Sequence, residues 1–254
     1  MRNQWEVKWW RVGLVLAIIF VTIYATEIIW EQYADWREIN VFLRENPNLA
    51  NVPIPLPDKS VANLDGSRLE LVGLSMQVPW KEIWRRWDFK TVSTVSFKDG
   101  PGLDIFDLSR AMVMERAIQS HTKDKQEVEA ERRLVGSHAL NCCHDLMASE
   151  LTVKPSELRW WNTFLTRHRT LVRLERKSMD IGDSNAIFEI SAGEMRGFQM
   201  GNPAAAPYGV TLELFDRNDR RHEIRISQYR ANHPFLTQAE VNAIVASIRT
   251  VPTN

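Results

Sequence analysis

The run SHALNCCHD places His138, Cys142, Cys143 and His144 within seven residues. Thiolate and imidazole are the ligands of zinc and copper sites, so the run invites a metal reading. Helical spacing argues against all four acting together. At about 100° per residue, Val128, Val135, Ala139, Cys142 and Leu146 fall on one stripe. His138 and Cys142 then lie about 40° apart and could share an ion, whereas His144 lies about 160° from Cys142. We therefore expect Cys142 to be a small apolar core residue, with no metal and no cofactor. His138 and Cys142 are the residual metal candidates. Adjacent thiols in an oxidising compartment could also form a vicinal disulfide or a redox pair. An envelope redox or metal-dependent enzyme using Cys142 and Cys143 is thus the alternative to the binding role reached below.

Two further stretches carry candidate binding chemistry. WKEIWRRW reads as a short helix that sets Trp80, Trp84 and Trp87 on one face. Such a face packs indoles onto a sheet or serves as an interfacial aromatic foot. SELRWWNTFLTRHRTLVRLERK reads as an amphipathic helix with Leu158, Trp161, Leu165, His168 and Val172 as its apolar stripe. Arg169, Arg173 and Lys177 repeat every four residues on it, with Arg159 nearby. That row is either a solvated face or a ridge for an anion or an acidic partner. The segment MRGFQMGNPAAAPYG, with its small and rigid residues, reads as an irregular connection between strands. HEIRI lacks the second histidine of a zincin, and no P-loop, dinucleotide fingerprint or nucleophile elbow is present. No catalytic residue is assigned.

These stretches need elements to hold them. RLELVGLSMQV is a strand candidate, and TVSTVSFKDGPGLDIFD gives two strands about a turn. A mainly helical block runs from 108 to 177 and is broken at Pro155. SNAIFEIS, EMRGFQM, YGVTLELF and RHEIRISQY are four more strands, the last two joined by a hairpin turn at DRNDR. Thr237 and Glu240 form a capping box, followed by the apolar stripe Val241, Ile244, Val245 and Ile248. Strands, a helical block, more strands and a closing helix give an α+β domain with a mainly antiparallel sheet and a C-terminal helix. GLSMQVPWKEI (73–83), with HEIRISQY and TQAEVNAIVASIR (222–249), resembles the first strand, last strand and last helix of the PsbP-like α+β sandwich superfamily. The resemblance implies a binding or assembly scaffold without a catalytic centre, and carries over no functional residue.

One N-terminal transmembrane helix is expected before the domain. Residues 9–30, WWRVGLVLAIIFVTIYATEIIW, span roughly 33 Å as a helix, close to the thickness of a bilayer's hydrocarbon core. Trp9, Trp10, Arg11 and Trp30 are its interface anchors. Arg2, Lys8 and Arg11 precede the span, and four acids follow it against Arg37. The N-terminus is therefore expected in the cytoplasm of a single-pass inner-membrane protein, with the rest periplasmic or extracellular. Cleavage after Ile23-Tyr24-Ala25 is a poorer reading, because the site begins with a large residue. The organisation expected is a signal anchor and its extension over 1–45, a proline-rich linker over 46–67 and an extracytoplasmic domain over 68–254. With 32 basic and 32 acidic residues the chain is neutral, which gives no pull toward nucleic acid. The expected partners are the bilayer, through residues 9–30, and an envelope protein or an anionic ligand.

Overall fold

The computed structural model describes residues 14, 17, 20–22, 36–98, 100–113, 142–159, 164–181, 186–201, 203, 209–227 and 236–251. The chain divides into two compact units, Met1–Pro47 and Asn48–Asn254. In the first, residues 36–45 are helical, and the Asn46 side chain donates to Phe42 O at 2.8 Å where the helix stops before Pro47. Proline disfavours helical geometry in the residue before it, which explains the stop. Most of the expected span, including Trp9, Trp10, Arg11 and Trp30, lies outside the described residues. Leu14, Ala17, Phe20, Val21 and Thr22 within it are helical and exposed. Among the described residues, no helix is long and apolar enough to cross a membrane.

The second unit is built on two sheets. The larger has eight strands: β1 (Ile54–Pro55), β4 (Ile83–Asp88), β5 (Val92–Phe97), β6 (Gly102–Leu108), β7 (Ile187–Ala192), β8 (Met195–Met200), β9 (Val210–Phe215) and β10 (Arg221–Ser227). Their spatial order is β1-β7-β8-β9-β10-β6-β5-β4. Every neighbouring pair is antiparallel except β1 with β7. The smaller sheet pairs β11 (Arg249–Thr250), β3 (Leu74–Gln77) and β2 (Arg68–Leu71) in that order. Both the α+β class and the mainly antiparallel sheet match the sequence reading. RLELVGLSMQV, however, is a two-residue hairpin rather than one strand. Leu71 faces Leu74 across Val72 and Gly73, which both take positive φ (33° and 80°). Glycine suits that geometry, but a β-branched valine hides it from a sequence reader.

Alternation along the strands gives the large sheet two different faces. Val95, Leu103, Ile105, Leu212, Leu214, Ile224 and Ile226 line one of them. The small sheet and the C-terminal helix α3 (Gln238–Ser247) complete that core with Leu69, Met76, Val241, Ile244 and Ile248. The capping box forms: Glu240 N donates to the Thr237 hydroxyl at 3.2 Å, and Thr237 N donates to the Glu240 carboxylate at 2.8 Å. After Ile248 the backbone turns extended and enters β11. The opposite face carries α1 (Cys143–Thr152) and α2 (Phe164–Ile181). Between β8 and β9 the backbones approach so closely that a Cβ at Gly197 would lie 1.7 Å from Glu213 O.

The proline-rich segment lies along this unit from Asn48 onward. β1 pairs with β7, the Asn242 side chain donates to Asp58 O and Ser60 O at 2.8 and 2.7 Å, and Ala62 N donates to Ala239 O at 3.0 Å. Leu49 is fully buried.

Candidate functional site

Helix α1 begins at Cys143, with Cys142 in extended conformation (φ −156°, ψ 164°) as its N-cap. Cys142 therefore stands outside the helix, where helical spacing does not set its angle to His144. One donor atom each of Cys142, His144 and Asp145 gathers within 4.8 Å of the others. The His144 Nδ1 atom stands 3.2 Å from Asp145 Oδ1. From β8, Arg196 Nη2 donates to both Cys142 Sγ and Asp145 Oδ1 at 3.4 Å. The hydrogen bond from the His144 ring holds the Asp145 carboxyl below its usual range, helped by the Cys142 thiol and Arg196. The His144 ring lies nearly parallel to Phe198 at 5.2 Å and edge-on to Phe215 at 5.6 Å, so the sheet fixes its orientation. His138 lies outside the described residues.

The core residue is Cys143 rather than Cys142, which corrects the sequence reading. Cys143 joins Leu146, Met147, Glu150 and Leu151 on the buried face of α1. Both cysteines are free thiols. Burial pushes the Cys143 thiol up to about 12, and the nearby Asp219 carboxylate pushes it the same way. A thiol so held is a poor nucleophile.

Beneath α1 and α2 the sheet carries a charged layer. Arg221 forms a two-pronged pair with Glu213 at 2.7 and 2.6 Å, and its Nη2 lies 3.6 Å from both Asp180 of α2 and Glu223. Arg176 of α2 meets Glu150 of α1 at 3.2 Å. Burial pushes the Glu150 and Glu213 carboxyls up to about 7 and also raises Asp180. Burial opposes the charge of Arg221, but Glu213 and Asp180 outweigh it and raise its value. On the apolar face His222 is also buried, 3.6 Å from Asp107 and 3.5 Å from Asp216, and burial pushes its ring below the ordinary value.

Of the expected basic ridge, Lys177 and Arg173 are turned into the fold. Lys177 is fully buried, and its Nζ donates to Leu49 O at 2.9 Å and Val153 O at 2.8 Å. Burial pushes it down to about 8. Arg173 is half-buried and donates to Ser149 O. Arg159 lies before α2 and donates to Ser156 O at 3.4 Å. Leu158 is buried ahead of the helix, while the side chains of Trp161, Leu165, His168 and Arg169 lie outside the described residues. Among the described side chains of α2, Arg167, Thr170, Leu174, Lys177 and Ile181 are buried.

WKEIWRRW is likewise not a helix. Residues Ile83–Asp88 form β4, the end strand of the large sheet, with all six residues exposed. Trp80 precedes the strand and is buried against Phe97, with ring centroids 5.1 Å apart. Trp84 (49% exposed) and Trp87 (46%) flank the Arg85 guanidinium, which lies 4.2 and 5.9 Å from their rings. The bulge between Ile83 and Arg85 breaks the alternation and brings the three together. Compared with family models, curated proteins and solved structures, the chain matches none.

Proposed function

We propose that the chain is a single-pass inner-membrane protein whose domain, periplasmic or extracellular, binds or scaffolds an envelope partner without catalysis. The observation that carries this reading is the exposed end strand β4, where Trp84, Arg85 and Trp87 form one aromatic and cationic surface. Ile83 and Phe89 extend it, Phe89 being 68% exposed. Aromatic rings with arginine are the residue types that dominate binding hot spots. Its chemistry suits an envelope protein or an anionic ligand, and the neutral chain gives no pull toward nucleic acid. Residues 9–30 supply the tether, with the N-terminus cytoplasmic. The PsbP-like kinship is part of the same proposal, and it is supported by the seating of α3 on β3, where Gln77 N donates to the Ser247 hydroxyl at 2.8 Å. The redox alternative is weakened by the burial and high pKa of Cys143.

A photo-crosslinking residue at Trp84 or Trp87 in intact cells tests the surface. The reading predicts a discrete adduct at both positions, absent from a control at Arg217 and lost when Arg85→Glu is added. No adduct above the control, in a chain that reaches the membrane, would contradict it.

A further inference from the structure

Among the described residues, the first turn of α1 gathers reactive side chains apart from β4 and carries an inference independent of the binding role. We propose that Cys142, His144 and Asp145 form a divalent-metal site of zinc type, which Arg196 closes in the metal-free chain. Thiolate, imidazole and carboxylate together are a zinc ligand set, and three protein ligands leave the fourth tetrahedral position to water. Zinc bonds of 2.0–2.3 Å place neighbouring ligand atoms about 3.3–3.7 Å apart. His144 Nδ1 and Asp145 Oδ1 already stand 3.2 Å apart, and no pair of donors in the triad exceeds 4.8 Å. Side-chain rotation within the triad closes the remaining ångström, and the Cys142 side chain makes no capping bond to the helix.

The position of Arg196 marks the same point. Its guanidinium nitrogen lies 3.4 Å from the Cys142 sulfur and from the Asp145 oxygen, so the gap between these donors already attracts a cation. Its side chain is 60% exposed and can swing into solvent when an ion takes its place. Phe198 and Phe215 hold the imidazole, as outer-shell contacts do in metal sites. Binding displaces one proton: the Cys142 thiol gives it to solvent as the sulfur–metal bond forms, the Asp145 carboxylate donates a lone pair, and the hydrogen that His144 Nδ1 shares with Asp145 moves through solvent to Nε2 and frees the Nδ1 lone pair for the metal.

Cobalt(II) tests this on the full chain in detergent under reducing, oxygen-free conditions. We expect one cobalt per chain, with a near-ultraviolet thiolate-to-cobalt band and visible bands of tetrahedral intensity, and competition by Zn2+. Cys142→Ala should abolish the thiolate band, and Asp145→Asn or His144→Gln should weaken binding by about tenfold or more. Arg196→Gln, which removes the competing cation, should tighten it. Cys143→Ser should leave the spectrum unchanged. Each variant is checked for an unchanged circular dichroism spectrum. A thiolate band that survives Cys142→Ala, or an affinity unmoved or lowered by Arg196→Gln, would overturn the proposal. So would the absence of stoichiometric cobalt binding in the unmutated chain.

Discussion

One face of the eight-stranded sheet offers Leu212, Leu214, Ile224 and Ile226 to an apolar layer, while the other, one residue along, offers Glu213, Glu223 and Arg221 to two helices. Both faces are dry. The apolar face gains by removing hydrocarbon from water, residue by residue. The charged face holds only as a set, since Glu150, Asp180, Glu213 and Glu223 share Arg176, Arg221 and Arg225, and each ion depends on its partners. Damage should therefore spread differently: locally on the first face, through the whole network on the second.

Arg221→Met should produce the largest loss, about 3–5 kcal/mol by urea unfolding at neutral pH, because it strands Glu213 and takes one cation each from Asp180 and Glu223. Adding Glu213→Leu to it should recover part of that loss; an Arg221→Met loss below that of a surface mutation would show that the layer is not coupled. Leu212→Ala on the apolar face should cost about 2–5 kcal/mol, and no second substitution should rescue it by removing a charge. Lys177→Met should cost about 1–3 kcal/mol through the two carbonyls it leaves unpaired, measured the same way.

The two faces also differ in their response to pH. Glu150 and Glu213 shift from an ordinary 4.5 to about 7 on folding, so the folded chain binds more protons between those values. Their contribution is full below about pH 4.5 and is lost as pH rises through 7. His222 opposes them: its folded value is depressed below 6.5, so its contribution is present above that pH and lost as pH falls. Two glutamates, with Asp180 raised beside them, outweigh one histidine, so the urea midpoint should be higher at pH 5 than at pH 8. Glu150→Gln should reduce that slope; an unchanged slope would remove Glu150 from its cause. Lys177 titrates near pH 8 and above, at the upper edge of this window. The smallest effect should be at the surface pair Lys81–Asp65, where Lys81→Ala should leave the urea midpoint almost unmoved.

What the sequence showed of this arrangement depended on where the buried face was apolar. The capping box and stripe of α3, the hairpin at DRNDR and the strands β5 to β10 were legible, because hydrophobic periodicity and turn residues coincide there. Helix α2 was legible as a helix but not in its orientation. Leu158 and Val172 suggested an apolar stripe, yet Arg167, Thr170 and Lys177 are among its buried residues. A polar face that finds polar partners inside the fold leaves no hydrophobic signal. WKEIWRRW failed for a related reason: tryptophans at helical spacing mean little when a bulged strand and its approach sort them into one buried and two exposed. At SHALNCCHD the ligand types were visible, but the helix start at Cys143 was not, since cysteine is not a capping residue. Asp145 was overlooked beside the more conspicuous cysteines, and Arg196 comes from a strand fifty residues away in sequence.

The measurement that tests the account most directly is the fate of the intact chain at the membrane. Membranes from expressing cells are isolated, the mass of the protein is taken, and protease is applied from outside to cells or spheroplasts. The account predicts full-length mass in the membrane fraction and a domain shaved away from outside. A soluble product trimmed near Ala25, or a membrane-bound chain resistant until lysis, would contradict it.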